Sequence, residues 1–296
     1  MHRGPKEVAV GFLGNAAAMS FWSKLPVLLR AILSGLLIAL VAANVWPVLL
    51  ESLSTPVAAL VEVIFLGVYL WWAFGGGPPR RTRDSRRNAS RYGALSRDRW
   101  LWGIVGAIFF AIAVHASIVL LFRFVQFPVA AFRRGYDLSF IPTLPLKWLA
   151  VIVSAISAGV CEETGFRGYM QRPIEERHGA VIAILTSTVF FTLVHLNKAW
   201  SLAGMVPIVF GAGLLLGLLA WSSQSLIPPI IGHVVMDIGL FAYWWTGIAG
   251  EFSASPIRET GIDGPFVIAC ATAVVSLLVT LFAISRLRFR TFVAKL

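Results

Sequence analysis

Long apolar runs separated by short polar segments dominate the pattern of this chain. Eight of the runs approach or exceed the roughly 20 residues that an α-helix needs to cross the hydrocarbon layer of a bilayer. They are residues 26–49, 55–76, 100–122, 147–171, 179–196, 201–222, 225–247 and 264–286. The pattern therefore predicts an all-α, polytopic membrane protein with about eight transmembrane helices.

Composition supports this class, and the placement of charge predicts an orientation. Hydrophobic residues make up 58% of the chain, charged residues only 13%, and the mean hydropathy is +0.80. The segment 75–99 holds eight of the 25 basic residues, and its Gly, Pro, Ser and Asn content indicates a loop. Loops rich in Arg and Lys stay in the cytoplasm, so we expect the loop 77–99 and both termini on that side. The net charge of +11 thus favours membrane orientation and contact with membrane lipids over binding of nucleic acid.

Ionisable groups inside the predicted spans are unevenly distributed. Charged groups in hydrocarbon are costly, so each is a candidate functional residue. The acidic residues and histidines within spans are Glu62, His115, Glu162, Glu163, His195, His233 and Asp237. Five of these seven lie in spans four, five and seven. We therefore divide the chain into N-terminal transmembrane helices (1–146), a helical core with most of the candidate functional residues in spans four to seven (147–247), and a C-terminal helix with a basic tail (248–296).

Helical spacing separates the two adjacent glutamates. Glu163 and Arg167 are four residues apart, which places them on one helix face where they can pair. Glu162 is turned by about 100° from Glu163 and is expected to face a cavity. Glu162 precedes His178, in the turn between spans four and five, by 16 residues, and His195 follows it by 17. The two side chains are therefore predicted at nearly equal depth.

Span seven adds a second histidine and a third carboxylate. His233 and Asp237 are again four residues apart, and helix tilt leaves room for His233 to meet Glu162 and His195. A buried carboxylate with two imidazoles is suited to activating a water molecule.

Three ordered motifs resemble those of a known family. They are EETGFR (162–167), FTLVH (191–195) and HVVMD (233–237). The sequence is similar to the CAAX protease and bacteriocin-processing family, also called CPBP or Abi. These intramembrane endopeptidases are related to the type II CAAX prenyl endopeptidases. The resemblance covers roughly residues 147–247 and implies a helical membrane peptidase.

The resemblance also implies roles for individual residues. Glu162 with His195 would activate water, and His233 with Asp237 would lie where related enzymes stabilise the oxyanion. Glu163 and Arg167 would form a supporting ion pair, and Phe191 belongs to the second motif. Asp237 stands where the family usually has Asn. Either it stays protonated and donates to the oxyanion, or it orients His233 as an acceptor, which we favour.

The need for a metal is open at this point. Glu162, His195 and His233 would supply a two-His, one-Glu set for a divalent cation, with zinc as the candidate. Their spacing lacks the compact His-Glu-x-x-His arrangement of recognisable zinc sites. The resemblance is compatible with a glutamate-type hydrolase or a metalloprotease, and we favour metal-free catalysis without another cofactor.

Other interpretations of the same residues remain. A proton- or ion-coupled transporter also uses intramembrane acids and histidines, and an immunity or peptide-binding module would hold a peptide without cleaving it. Cys161 is interpreted as a packing thiol in preference to a nucleophile. We expect a peptide or lipid-anchored protein as substrate. The Arg-rich, Ala- and Gly-heavy composition indicates a prokaryotic inner-membrane protein.

Overall fold

The described part of the chain is built from helices alone. The computed structural model describes residues 22, 24–91, 95–196 and 204–293, and every regular element within them is helical. The chain before residue 22, the start of the predicted sixth span (201–203) and the end of the basic tail (294–296) lie outside those residues. The α-helices are α1 (Val27–Ala43), α2 (Val45–Ser52), α3 (Thr55–Ala73), α4 (Arg83–Ala89), α5 (Arg97–Phe124), α6 (Val129–Gly135), α7 (Leu144–Glu163), α8 (Gln171–His178), α9 (Ala180–His195), α10 (Met205–Ser223), α11 (Ile227–Gly239), α12 (Ile257–Thr260) and α13 (Gly264–Val293).

The prediction of an all-α polytopic membrane protein is confirmed. Within the described ranges, seven helical segments are long and apolar enough to cross a membrane. They are Val27–Ser52, Thr55–Ala73, Arg97–Phe124, Leu144–His178, Met205–Ser223, Ile227–Trp245 and Gly264–Arg288. The predicted fifth span corresponds to α9, which is apolar but only 16 residues long. Seven of the eight predicted spans therefore have a full-length counterpart, and the predicted fifth span has a shorter one.

Two π-helical segments interrupt the spans that carry the candidate site. The first, π1 (Thr164–Met170), follows Glu163 directly and joins α7 to α8. The second, π2 (Leu240–Trp245), continues α11 shortly after Asp237. π-Helical turns are rare and frequently lie at functional sites. Here each begins within three residues of an acidic residue of the predicted core.

Small residues let α1 approach π1 closely. A Cβ atom added to Gly35 would lie 2.5 Å from Cβ of Met170, and one added to Gly165 would lie 2.5 Å from Cβ of Ala39. Close backbone contact through small residues is a general mode of helix association in membranes. The first span therefore packs directly behind the segment that bears Arg167.

Helix α11 lies at the centre of the molecule, and glycines let its neighbours approach it. A Cβ atom added to Gly159 on α7 would lie 2.6 Å from Val234, and one added to Gly232 would lie 3.0 Å from Phe110 on α5. The helix thus fits between α5 and α7. This position brings its His233 to the end of α7.

The basic segment 75–99, interpreted from its composition as a loop, contains an ordered helix. Arg86 on α4 is buried and donates to the carbonyl oxygens of Trp72, Gly76 and Gly77. Its guanidinium carbon lies 4.9 Å from the centre of the Trp72 ring. One buried arginine thus donates hydrogen bonds to several backbone carbonyls. Composition alone does not predict this arrangement.

The contact between α1 and π1 generates a stability prediction. We expect Gly165→Ala to lower the free energy of unfolding by about 1–3 kcal/mol, because overpacking a tight contact forces the backbone apart. Gly67→Ala, on α3, is the matched control, since nothing lies within 4 Å of its added Cβ. Thermal unfolding of both variants in detergent measures the difference. Equal stability of the two variants would contradict this account of the packing.

Candidate active site

The predicted catalytic residues line one cavity between α7, α9, α10 and α11. It has a volume of about 70 Å³, and its polar lining residues are Glu162, His195, His233 and Asp237. The remaining lining is apolar or aromatic and includes Phe191, Met205 and Trp245. A water molecule needs roughly 10–15 Å³ of such volume, so the cavity has room for more than one.

Glu162 and His195 meet across this cavity. Glu162 is near the end of α7 and His195 is the last residue of α9, and Oε2 of Glu162 lies 3.6 Å from Nε2 of His195. The other ring nitrogen, Nδ1, is 2.7 Å from the carbonyl oxygen of Phe191. Because a carbonyl only accepts, Nδ1 carries a proton and Nε2 is directed at the carboxylate. The equal depth predicted from the sequence thus corresponds to a close approach of the two side chains.

Glu163 lies on the other side of α7 and contacts two cationic or potentially cationic groups. Its Oε1 atom accepts from Nη1 of Arg167 at 2.8 Å and lies 2.8 Å from Nδ1 of His233. The side chains of Glu163 and Arg167 are fully buried, and that of His233 is 2% exposed. A buried carboxylate needs such partners, because its desolvation is otherwise uncompensated. The two adjacent glutamates therefore have separate surroundings.

Arg167 is held by three kinds of contact. Besides Glu163, its Nη2 atom donates to the carbonyl oxygen of Gly213 on α10 at 3.0 Å. Its guanidinium carbon lies 4.4 Å from the centre of the Phe191 ring, a cation–π contact. One turn along each helix, Gln171 donates to the carbonyl oxygen of Gly217 at 3.0 Å. These contacts fasten π1 and α8 to α10.

His233 lies between two carboxylates. Nδ1 contacts Glu163, while Nε2 is 3.4 Å from Oδ2 of Asp237 on the same helix. The contact to Asp237 is longer than an ordinary hydrogen bond of 2.7–3.2 Å. The ring of Phe191 meets that of His233 edge-on, with centroids 5.9 Å apart. His233 is thus fixed firmly at Nδ1 and loosely at Nε2.

The three predicted metal ligands do not form a ligand group. Among the residues that the structure describes, no set of three His, Cys, Asp or Glu side chains is arranged to hold a metal ion. His233 directs Nδ1 at Glu163 and Nε2 at Asp237, while His195 directs Nε2 at Glu162. Both nitrogens of His233 and Nε2 of His195 thus face carboxylates, while Nδ1 of His195 faces a backbone carbonyl. The arrangement does not fit the zinc set Glu162, His195 and His233.

The other intramembrane groups lie outside the cavity lining. His115 is 3.1 Å from the carbonyl oxygen of Met236 and accepts from the indole of Trp244 at 3.2 Å. Glu62 accepts from the hydroxyl of Ser157 at 2.6 Å. Cys161 is fully buried. Each has a position explained by packing or hydrogen bonding.

Sequence reasoning missed the contact between Glu163 and His233. It assigned Glu163 to Arg167 alone and His233 to the oxyanion. The contact joins residues 70 positions apart, and no local spacing reports it. The carbonyl of Gly213 and the ring of Trp245 were missed for the same reason.

The comparison with protein families agrees with the three motifs. Residues 143–239 match the family model described as type II CAAX prenyl endopeptidase Rce1-like. Over these residues the helical core is similar to Rce1-like endopeptidases. The match covers about a third of the chain and includes every predicted site residue from Glu162 to Asp237. The resemblance to CAAX proteases that the three motifs predicted is confirmed over these residues. No curated protein and no solved structure matches the chain significantly.

The different surroundings of the two glutamates predict different effects on stability. We expect Glu163→Gln to lower the free energy of unfolding by about 3–5 kcal/mol, because it leaves the buried guanidinium of Arg167 without its carboxylate. Glu162→Gln, the neighbouring control at the cavity, should cost only about 1 kcal/mol, the usual effect of a point substitution, because its contact to His195 at 3.6 Å is longer than the two 2.8 Å contacts of Glu163. Thermal unfolding in detergent compares them. Similar losses for both would show that Glu163 has no special structural role.

Proposed function

We propose that the protein is an intramembrane endopeptidase in which Glu162 and His195 activate water to hydrolyse a peptide bond. One observation carries the proposal: the Glu162 carboxylate and His195 Nε2 face each other at 3.6 Å in an apolar cavity with room for water. General-base hydrolysis requires a base within hydrogen-bonding distance of the attacking water.

In the first step, a water molecule held by Glu162 and His195 loses a proton to the Glu162 carboxylate. Its oxygen attacks the carbonyl carbon of the scissile bond, and the carbonyl π electrons move onto the oxygen to give a tetrahedral oxyanion. His195 positions the water, and its own ring is fixed by the bond from Nδ1 to the Phe191 carbonyl. The apolar lining strengthens these polar contacts, because the effective dielectric constant is low.

His233 is the candidate donor to the oxyanion. Nδ1 is committed to Glu163 at 2.8 Å, whereas the contact from Nε2 to Asp237 at 3.4 Å is loose enough for a substrate oxygen to compete. A donor that is already oriented costs no reorganisation when charge develops. In the last step, the proton held by Glu162 passes to the leaving amine, the carbon–nitrogen bond breaks, and the carboxylate is regenerated.

Asp237 is assigned the orienting role. It lies one turn from His233 on α11 and approaches the nitrogen that we propose as donor. An acceptor there favours a proton on Nε2, which is the form needed for donation. Direct contact between an ionised Asp237 and the oxyanion would be repulsive, so the acceptor role is preferred to the donor role.

The proposed substrate is a membrane-associated peptide or a lipid-anchored protein. The cavity lies among helices of a membrane protein, and most of its lining is apolar. A substrate held at the bilayer by apolar segments or by a lipid chain reaches such a cavity without leaving the membrane. The proposed location is a prokaryotic inner membrane with both termini in the cytoplasm.

Cleavage should depend on Glu162 and His195. We expect Glu162→Gln and His195→Ala each to reduce cleavage by roughly 10²–10⁴-fold, the usual contribution of a general acid–base group. Cys161→Ala is the matched control on the same helix and should keep the wild-type rate, because the buried thiol does not line the cavity. Cleavage of a membrane peptide pool in proteoliposomes, followed by mass spectrometry, measures all three. Wild-type rates in both site variants would refute the proposed mechanism.

Asp237→Asn separates the two roles considered for Asp237. If the carboxylate orients His233, the amide should lower kcat by about 10–100-fold, as the loss of an orienting partner typically does. If Asp237 instead donates to the oxyanion, the amide should retain or raise kcat. Single-turnover cleavage by the wild type and by Asp237→Asn distinguishes the two roles. We expect the loss.

Removal of metal ions provides an independent check. Because the three candidate ligands do not converge, we expect cleavage to survive prolonged dialysis against a chelator at the wild-type rate. Loss of cleavage on dialysis and its return with zinc would overturn the metal-free mechanism. The Glu162→Gln variant, treated in the same way, gives the background rate.

A further inference from the structure

A second polar cavity lies at α8, beyond the end of the helix that carries Glu162. Its lining residues are Arg87 and Asn88 on α4, Arg91, Arg172 on α8, and Gln224, and its volume is about 230 Å³. Arg172 follows Glu162 by ten residues, which corresponds to roughly 15 Å along a helix. The cavity opens to the surface, because Arg87 and Asn88 are exposed.

The lining of this cavity is rich in hydrogen-bond donors. It contains three guanidinium groups and two side-chain amides, and no carboxylate. Two acids contact this lining: Glu175 contacts Arg91 at 2.6 Å and Arg172 at 3.3 Å, and Glu176 contacts Arg172 at 3.0 Å and accepts from the side-chain amide of Asn88 at 2.9 Å. The three guanidinium groups of the lining outnumber these two carboxylates.

Arg91 is built into the site and retains an unused donor. Its side chain is 1% exposed, Nε donates to the carbonyl oxygen of Arg167 at 3.2 Å, and Nη2 pairs with Glu175. The third nitrogen, Nη1, is buried without a hydrogen-bond partner. A buried donor without an acceptor is costly, and a bound anion would supply one.

The backbone around the cavity is held in an uncommon conformation. Among the described residues, Arg91 and Gln224 are the two non-glycine residues with positive φ, at 49° and 53°. Both line this cavity. Left-handed conformations of such residues cost roughly 1–2 kcal/mol each and are concentrated at functional sites.

We propose that this cavity binds a phosphate group. The planar guanidinium matches phosphate geometry and donates hydrogen bonds in pairs. The site lies near the end of the membrane-spanning segment Leu144–His178, where headgroup phosphates are found. Basic pockets between transmembrane helices bind phosphate-bearing headgroups elsewhere. The phosphate belongs either to a lipid headgroup or to a soluble phosphate compound.

Binding to the full-length protein in neutral detergent tests the proposal without requiring any catalytic activity. The probes are dioctanoyl phosphatidylglycerol, inorganic phosphate, and dioctanoylglycerol, which has the same chains as the first but no phosphate. We expect saturable binding of at least one phosphate probe and none of dioctanoylglycerol. Arg87→Gln should weaken binding by about tenfold or more, the effect of losing one charged hydrogen bond.

Arg83→Gln is the matched control. Arg83 is also exposed on α4 and carries the same charge, but it does not line the cavity. Its substitution should change affinity by less than about threefold, since an exposed charge without a direct contact contributes only a few tenths of a kcal/mol in water and salt. Because Arg87 is exposed, its variant should keep the wild-type unfolding temperature, which is measured alongside.

The outcomes separate the two sources of phosphate. Binding of phosphatidylglycerol alone assigns a lipid headgroup, and binding of inorganic phosphate assigns a soluble compound. Three results would overturn the proposal: no saturable binding of either phosphate probe, equal weakening by Arg83→Gln and Arg87→Gln, or equally tight binding of dioctanoylglycerol.

Discussion

The buried carboxylate of Glu163 is the interaction on which the arrangement of the core depends. One oxygen contacts both Arg167 on π1 and His233 on α11, so a single group on α7 joins these two segments. Burial makes each of these charges expensive alone, and the cost is offset only when all three are in place. The bond from Arg167 to the Gly213 carbonyl extends the same constraint to α10. These contacts hold α7, α10 and α11, which line the cavity, in their relative positions.

This constraint gives two neighbouring, chemically identical side chains different environments. Because successive residues on a helix point about 100° apart, Glu163 is directed into the packed interior and Glu162 into the cavity with His195. A carboxylate that serves structure and one that serves chemistry therefore occupy consecutive positions. Glu163 also affects the cavity through His233. Because Glu163 holds Nδ1 of this histidine, it determines where Nε2 can reach.

Much of this organisation could be predicted from the sequence because it depends on local periodicity. Apolar run lengths predict the spans, spacing of four residues predicts the pairs Glu163–Arg167 and His233–Asp237, and counting from the turn at His178 brings Glu162 and His195 together. Features that depend on distant residues could not be predicted. The contact between Glu163 and His233, the order of the basic segment around Arg86 and the two π-helical segments all result from packing between separate helices. The assignment of catalytic roles stays a prediction.

The short helix α9 also affects the lipid around the protein. Its 16 residues span roughly 24 Å, whereas the hydrocarbon layer is about 30 Å thick. Its outer face is lipid-like, with Val181, Leu185 and Val189 exposed. Such hydrophobic mismatch is relieved by local thinning of the bilayer. His195 ends this helix, so the membrane is expected to be thinnest beside the proposed catalytic pair, and the path that water must travel through hydrocarbon is shortest there.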